Sequence, residues 1–301
     1  MSATTSPVAP VPKAARRSFG RWFKVLGWRH LVALGAIAFA ILPVLWVVSA
    51  AFTTDPTISS GNLLPRQPTT DNFTTLFSNP DQPYLKWYLN TMVLATVVAI
   101  FTVLIAAGAA YAFSRFRFKG RRVGMVFLLL VQMFPQFLAI VAIYLLMAQV
   151  SDVFAGVGLD TLTGLGLVYL GGAMGVNAWL IKGFFDTIPF EIDESAKVDG
   201  ATHGQVFWGI ILPLAAPVLA VVGLLSFIFT INEFLIASTL LQSPGTKTLA
   251  VGLRGFIDQQ YSENWGPFAA GALLAAIPVV ILFIFLQKFI VGGLTQGSVK
   301  G

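Results

Sequence analysis

The chain has 301 residues, 56% apolar and only 11% charged, with a mean hydropathy of +0.79. A soluble domain carries roughly 25% charged residues, so a water-facing globule of this size is excluded and the chain reads as an all-α integral membrane protein. With no cysteine and two well-separated histidines, His30 and His203, disulfides, thiolate metal sites, iron–sulfur clusters and a histidine-rich metal centre are excluded.

Residues 1–20 are rich in Ala, Pro, Ser and Thr and are expected to be disordered; with the basic stretch that follows, residues 1–29 form an N-terminal segment. A helix needs about 20 mostly apolar residues to cross the hydrocarbon core. Six runs meet this, at about 31–52, 89–113, 123–150, 163–181, 210–241 and 268–291. Val48, Ser49 and Ala50 resemble a signal-cleavage site. The apolar stretch is nevertheless about twice the usual 7–15 residues and follows a long basic segment, so it is read as an uncleaved span. Gly164, Gly166, Gly171, Gly172 and Gly175 make the fourth run the weakest, though small residues also allow close helix approach. Pro43, Pro135, Pro213, Pro217 and Pro278 fall in or at the runs, where neighbouring helices can satisfy freed carbonyls.

Charges between the runs set orientation. Lys13, Arg16, Arg17, Arg21, Lys24 and Arg29 precede the first, and Arg115, Arg117, Lys119, Arg121 and Arg122 separate the second from the third. The positive-inside rule makes both segments, and hence both termini, cytoplasmic. Loops 53–88, 151–162 and 242–267 then face outward. The net charge of +6 could suggest nucleic acid, but the basic residues sit beside apolar runs, so membrane lipid is an expected partner and nucleic acid is not.

The loop between the fourth and fifth runs breaks the basic pattern, with Asp186, Glu191, Asp193, Glu194 and Asp199 against Lys182 and Lys197. It reads as two short helices. Thr187 or Asp186 can cap the first, Pro189 suits its first turn, and Glu191, Asp193 and Glu194 lie near its positive end. Gly200 can end it in a left-handed conformation. Thr202 and Gln205 make a capping box for the second, whose apolar Val206, Phe207, Ile210 and Ile211 lead to Pro213. Composition alone is satisfied by a solvated interfacial hairpin.

The string Glu194, Ser195, Ala196, Lys197, Val198, Asp199, Gly200, Ala201, followed by Ile211, Leu212 and Pro213, resembles the EAA loop of ABC-importer permeases. Ser195 departs from the pattern by replacing the first alanine with another small residue. Gln132, Met133, Phe134 and Pro135; Tyr169, Leu170, Gly171 and Gly172; Ile181, Lys182 and Gly183; Thr248 to Gly252; and the end, Gly293 to Gly301, are similar to MalG-type permeases of the carbohydrate branch. The resemblance runs from about the first span to the last residue.

The resemblance implies a permease domain at about 30–291 with six transmembrane helices, a cytoplasmic two-helix coupling loop at about 186–213, and a cytoplasmic tail at 292–301. It implies a permease that catalyses no chemistry and holds no cofactor, with ATP and Mg bound by partner subunits. Gly245, Thr246, Lys247 and Thr248 are at best a fragment of a P-loop, since Leu240 stands where its first glycine belongs. The expected partners are a homologous MalF-type permease, two MalK-type ATPase subunits and an extracytoplasmic sugar-binding protein, with maltose or maltodextrin carried by alternating access. Glu194, Ser195, Ala196, Asp199, Gly200, Ala201, Leu212 and Pro213 would couple to an ATPase subunit. Gly297, Ser298, Val299, Lys300 and Gly301 would insert between the ATPase subunits; alone they read as a frayed end. Gly255, Asp258, Gln259, Gln260 and Tyr261 would reach the binding protein; alone they read as a polar outward loop.

Glu233, beside Asn232, is the ionisable residue read as lying well inside a span, and such a carboxylate is a functional candidate. Pairing with a partner helix, lining a wet cavity and carrying protons all remain open for it. A secondary transporter calls for several intramembrane ionisable residues or broken helices repeated in two halves, which the sequence does not present. A membrane enzyme lacks visible catalytic groups. An importer of another sugar, such as trehalose, another α-glucoside or glycerol phosphate, is the nearest alternative.

Overall fold

The computed structural model describes residue 20 and residues 23–54, 63–65, 67–154, 156–258 and 264–296. The N-terminal stretch through residue 19, Gln259, Gln260 and Tyr261, and the terminal Gly297, Ser298, Val299, Lys300 and Gly301 lie outside these residues. Among the described residues the chain is helical, with a single isolated bridge between Thr53 and Pro68.

Among the described residues three single helices are long and apolar enough to cross a membrane: α1 (Trp28–Ala51), α3 (Tyr84–Arg115) and α13 (Trp265–Gln296). A short helix, α2 (Asp71–Ser78), lies between the first two. Three further spans, if each bent pair is one span, are broken. α4 (Arg121–Met133) meets the stretch Phe137–Val153, which contains α5 (Ile140–Val153), at 78°; α6 (Leu162–Gly171) and α7 (Gly175–Phe185) meet at 53°, and α9 (His203–Leu214) and α10 (Ala216–Asn232) at 79°. The coupling-loop helix α8 (Phe190–Val198) precedes α9, and the short α11 (Leu235–Leu240) and α12 (Leu249–Arg254) follow α10.

Each break has a local cause. Phe134 precedes Pro135 and is extended, with ψ 125°, because proline disfavours a helical predecessor. α9 contains a π-helical stretch, Phe207–Ile211, just before Pro213; a π-bulge and a proline are the usual sources of a sharp kink. At the α6–α7 break the Gln132 side chain donates to Gly172 O at 2.8 Å and accepts from Val176 N at 2.9 Å. A side chain of α4 thus satisfies backbone groups that hydrocarbon cannot. Gly175 allows the approach, since a Cβ there would stand 2.0 Å from the Gln132 amide carbon.

The fifth run, expected to continue to 241, stops as a helix at Asn232, and a separate α11 carries the chain onward. The tail expected from 292 begins as helix, because α13 continues to Gln296. Gly292 and Gly293 do not stop it, in keeping with the tolerance of helices for isolated glycines. The loops at 53–88 and 242–267 are also more ordered than their polarity suggests, containing α2 and α12.

α3 is the hub. It packs against α6, α7, α10 and α12. Ala106, Ala107 and Ala110 of α3 are fully buried against Ala178 and Ile181 of α7 and against Val218 and Val222 of α10. Small residues let backbones come close where lipid removes the hydrophobic drive between helices. By contrast, α1 is almost wholly exposed along its apolar length, as suits a surface meeting lipid or a neighbouring subunit.

Candidate coupling site

The loop 186–213 folds as a helical hairpin whose connector is closed at both ends. α8 ends in a Schellman motif: Ala201 N donates to Ala196 O at 2.9 Å and Gly200 N to Lys197 O at 3.0 Å. Gly200 has φ +87°, the left-handed region that glycine enters without strain. Ala196 and Ala201, the pair that meets across this motif, pack on the core formed by α3, α7, α9 and α10. α9 begins with the expected capping box: Thr202 Oγ accepts from Gln205 N at 3.3 Å, and Thr202 N donates to Gln205 Oε1 at 2.8 Å. The alanine, glycine and alanine of the motif therefore have separate steric duties. The expected cap on α8 is not present, since Pro189 holds the N-cap position without a side-chain bond. Asp186 instead accepts from Lys182 and from Ser114 Oγ, the latter at 2.7 Å, while Thr187 Oγ donates back to Phe184 O. Burial pushes the Asp186 carboxyl up, but the bonds from Lys182 and Ser114 outweigh it and hold the group below its ordinary range.

The hairpin is fastened to the end of α3. Arg115 Nε lies 2.5 Å from Asp193 Oδ2, with side chains only 4% and 5% exposed. The contact is an ion pair, with neither Arg115 Nε nor the Asp193 oxygens in a hydrogen bond among the described residues. Arg115 Nη2 also donates to Ile188 O at 3.0 Å, and the guanidinium sits 4.4 Å from the Phe190 ring centroid. The second helix is held from the same place: Tyr111 Oη donates to His203 O at 3.4 Å, and Phe116 packs edge-on to the His203 ring. Turned away from these anchors, Glu194, Ser195 and Asp199 are exposed, and Val198 is 88% exposed. Leu212 is half-buried, while Pro213 is exposed just ahead of the α9–α10 bend.

The profile of the family described as "Binding-protein-dependent transport system inner membrane component" matches residues 99–295, from the middle of α3 through α13. The chain belongs to this family. The permease is 38% identical over 283 residues to the maltose/maltodextrin transport system permease protein MalG of Escherichia coli K12, covering 90% of this chain and 95% of that protein. It is 44% identical over 233 residues to the maltodextrin transport system permease protein MdxG of Bacillus subtilis, covering 77% and 81%. It is 39% identical over 282 residues to the galactooligosaccharides transport system permease protein GanQ of the same organism, covering 93% and 97%. A crystal structure of a bacterial ABC transporter that imports the polysaccharide alginate has the same fold, with a TM-score of 0.74 at 23% identity over 91% of this chain and 99% of that one. The permease is an inner-membrane transport subunit of an ABC importer, and ATP hydrolysis belongs to separate subunits. Permeases of this family work with a second permease, ATPase subunits and a binding protein. Among the described residues no group of three or more His, Asp or Glu could hold a metal ion.

The loop that leads to Gly255 and Asp258 packs at the other end of α3. Trp87 Nε1 donates to Pro244 O at 2.6 Å, Asn90 Nδ2 to Gly245 O and Lys247 O at 3.0 and 3.1 Å, and Leu249 N to Thr91 Oγ at 2.7 Å. Asp160, in a left-handed conformation at φ 56°, accepts from Gln242 N, Ser243 N and the Ser243 and Thr246 hydroxyls. Burial raises its pKa, yet these bonds prevail and hold it at about 2. The glycine–threonine string at 245–248 is thus tied into loop structure. Gly255 ends α12, and Asp258 pairs with Arg254 at 3.1 Å on the surface. Glu233 follows the last residue of α10 and caps α11, accepting from Ile236 N at 2.8 Å and Ala237 N at 3.0 Å; Tyr169 Oη donates to it at 2.5 Å. Asn232 bonds only within its own helix, to Ile228 O at 2.8 Å.

Sequence reasoning missed Arg115 and Ser114 as anchors and took Asp193 for a helix-dipole charge. A signal existed: Arg115 is the first basic residue of the loop and stands two positions beyond an apolar run. Charge counting gives it a topological meaning and hides the pairing.

Proposed function

We propose that the permease forms half of the translocation path of an importer for maltose or maltodextrin, through six spans with both termini in the cytoplasm. Residues 1–29 are its basic leading segment, 30–291 its permease domain and 292–301 its tail. The observation that carries the reading is the hairpin 186–213, whose exposed face bears Glu194, Ser195, Asp199 and Val198 while its inner face is clamped to the hub helix α3. Sugar-loaded binding protein docks outside, and ATP with Mg closes two MalK-type subunits. Their motion is delivered to the hairpin, and α3 carries it to α7 and α10, against a MalF-type partner. Gly200 and the Ala196–Ala201 pair keep the hairpin rigid, and Leu212 and Pro213 lead its motion into the bent span. The tail Gly297–Gly301 enters between the ATPase subunits. Gly255, Asp258, Gln259, Gln260 and Tyr261 meet the binding protein. The similarity to MalG and MdxG supports the sugar class. The similarity to GanQ makes a galactooligosaccharide the competing substrate.

The test is uptake of labelled maltose into proteoliposomes containing the permease and its co-purifying subunits, with binding protein outside and ATP or a non-hydrolysable analogue inside. Uptake that needs both ATP and binding protein supports the reading. ATP-dependent uptake of galactooligosaccharide alone keeps the mechanism and changes the substrate. Uptake that follows an ion gradient and ignores ATP overturns it.

A further inference from the structure

A groove of about 600 Å³ opens where the end of α3, the start of α4 and the end of α7 meet. Val126 and Leu129 give it an apolar wall, Trp179 contributes an indole, and Arg121, Arg122 and Lys182 bring three cations. Lys182 is engaged by Asp186, which also attracts Arg121. Among the described residues neither Arg121 nor Arg122 has a carboxylate within ion-pair distance. Beyond the groove, Phe127 and Leu130 stay 62% and 58% exposed along α4, so the apolar surface continues up the span from the charged end. Trp179, 52% exposed, has the amphipathic character of a side chain at a headgroup boundary.

We propose that this groove binds an anionic phospholipid, with its phosphate against Arg121 and Arg122 and its acyl chains along α4. The proposal rests on the reading that this end of the permease lies at the cytoplasmic membrane face. A basic pocket between spans on that face has the chemistry for an anionic headgroup. Free phosphate matches the two arginines but leaves the apolar wall and the exposed face of α4 without a partner. A two-chain lipid satisfies both.

The test is native mass spectrometry of the detergent-solubilised transporter titrated with phosphatidylglycerol, with phosphatidylcholine of the same chains, or with phosphatidylglycerol plus inorganic phosphate. Phosphatidylglycerol is expected to be retained in preference. R121Q/R122Q should weaken its binding roughly thirtyfold and R122Q alone about fivefold, leaving phosphatidylcholine unchanged. The single variant carries the test if the double variant fails to assemble. Equal retention by wild type and R122Q overturns the proposal. So does displacement by millimolar phosphate, which marks a simple anion site, or a photo-crosslinker at Val126 that labels only protein, which marks a subunit contact. Because lipid retention is read without transport, a failed uptake assay strikes the transport reading and leaves this one standing.

Discussion

Arg115, the last residue of α3, and Asp193, in the first turn of α8, form an ion pair almost sealed from solvent. Removing one partner of a buried pair strands the other charge, at a cost of about 3–5 kcal/mol. R115M and D193N are therefore expected to loosen α8 from α3 while the spans remain assembled. Hydrogen exchange of the α8 amides should accelerate, and sugar transported per ATP hydrolysed should fall. The swap R115D/D193R should restore part of the coupling. Unchanged exchange and coupling in D193N would show the pair to be incidental.

Gly200→Val places a β-branched residue at φ +87°, where an L side chain costs about 1–2 kcal/mol. The Schellman turn should open and misalign α8 against α9. Uptake is expected to drop with normal expression, and Gly200→Asn should be milder because Asn tolerates this region. Normal uptake by the valine variant counts against a rigid connector.

Asp160 gathers the loop at 242–246, and its carboxyl is held at about 2. A folded pKa below the unfolded value means that its contribution to stability is present above about pH 4 and is lost as pH falls toward 2. Pepsin should spare this loop near pH 4 and begin to nick it as pH drops toward 2. Asp160→Asn should already be nicked near pH 4. Identical cleavage of the two proteins across this range would remove Asp160 from the account.

A Cβ on Gly252 would stand 2.1 Å from the Trp87 ring. Gly252→Ala should push α12 off α3, and overpacking of this kind costs about 1–3 kcal/mol. Thermal inactivation of the transporter reads the loss. Trp87→Leu, which removes the ring, should make the alanine better tolerated in the double variant than in Gly252→Ala alone.

Glu233 caps α11 through one carboxylate. Glu233→Ala should cost about 0.5–2 kcal/mol, while Glu233→Gln, which keeps an acceptor oxygen, should retain most uptake. Near-complete loss of uptake in the glutamine variant, with the protein still folded, would favour a proton role over a cap.

Several features were legible because they depend on residues close in sequence. The apolar helices, the left-handed Gly200 and the Thr202–Gln205 box follow from composition and from spacings of a few residues. What stayed hidden depends on residues far apart. Nothing local indicates that Arg115 meets Asp193, that Gln132 reaches the break between α6 and α7, or that Glu233 caps a new helix beneath Tyr169. Asp186 is instructive, since it looked like a good cap yet was taken by Ser114 and Lys182 once tertiary packing supplied stronger partners. The sugar contacts were not legible, because apolar and aromatic residues serve lipid, packing and stacking alike.

Gln132 gives both ends of its amide to the gap between Gly172 and Val176. Straightening that gap without moving α4, or moving α4 without straightening it, strands a carbonyl and an N–H in hydrocarbon, at several kcal/mol for each group. α4 and the α6–α7 pair are therefore expected to shift together as one piece, and substitution of this single glutamine is expected to divide that piece in two.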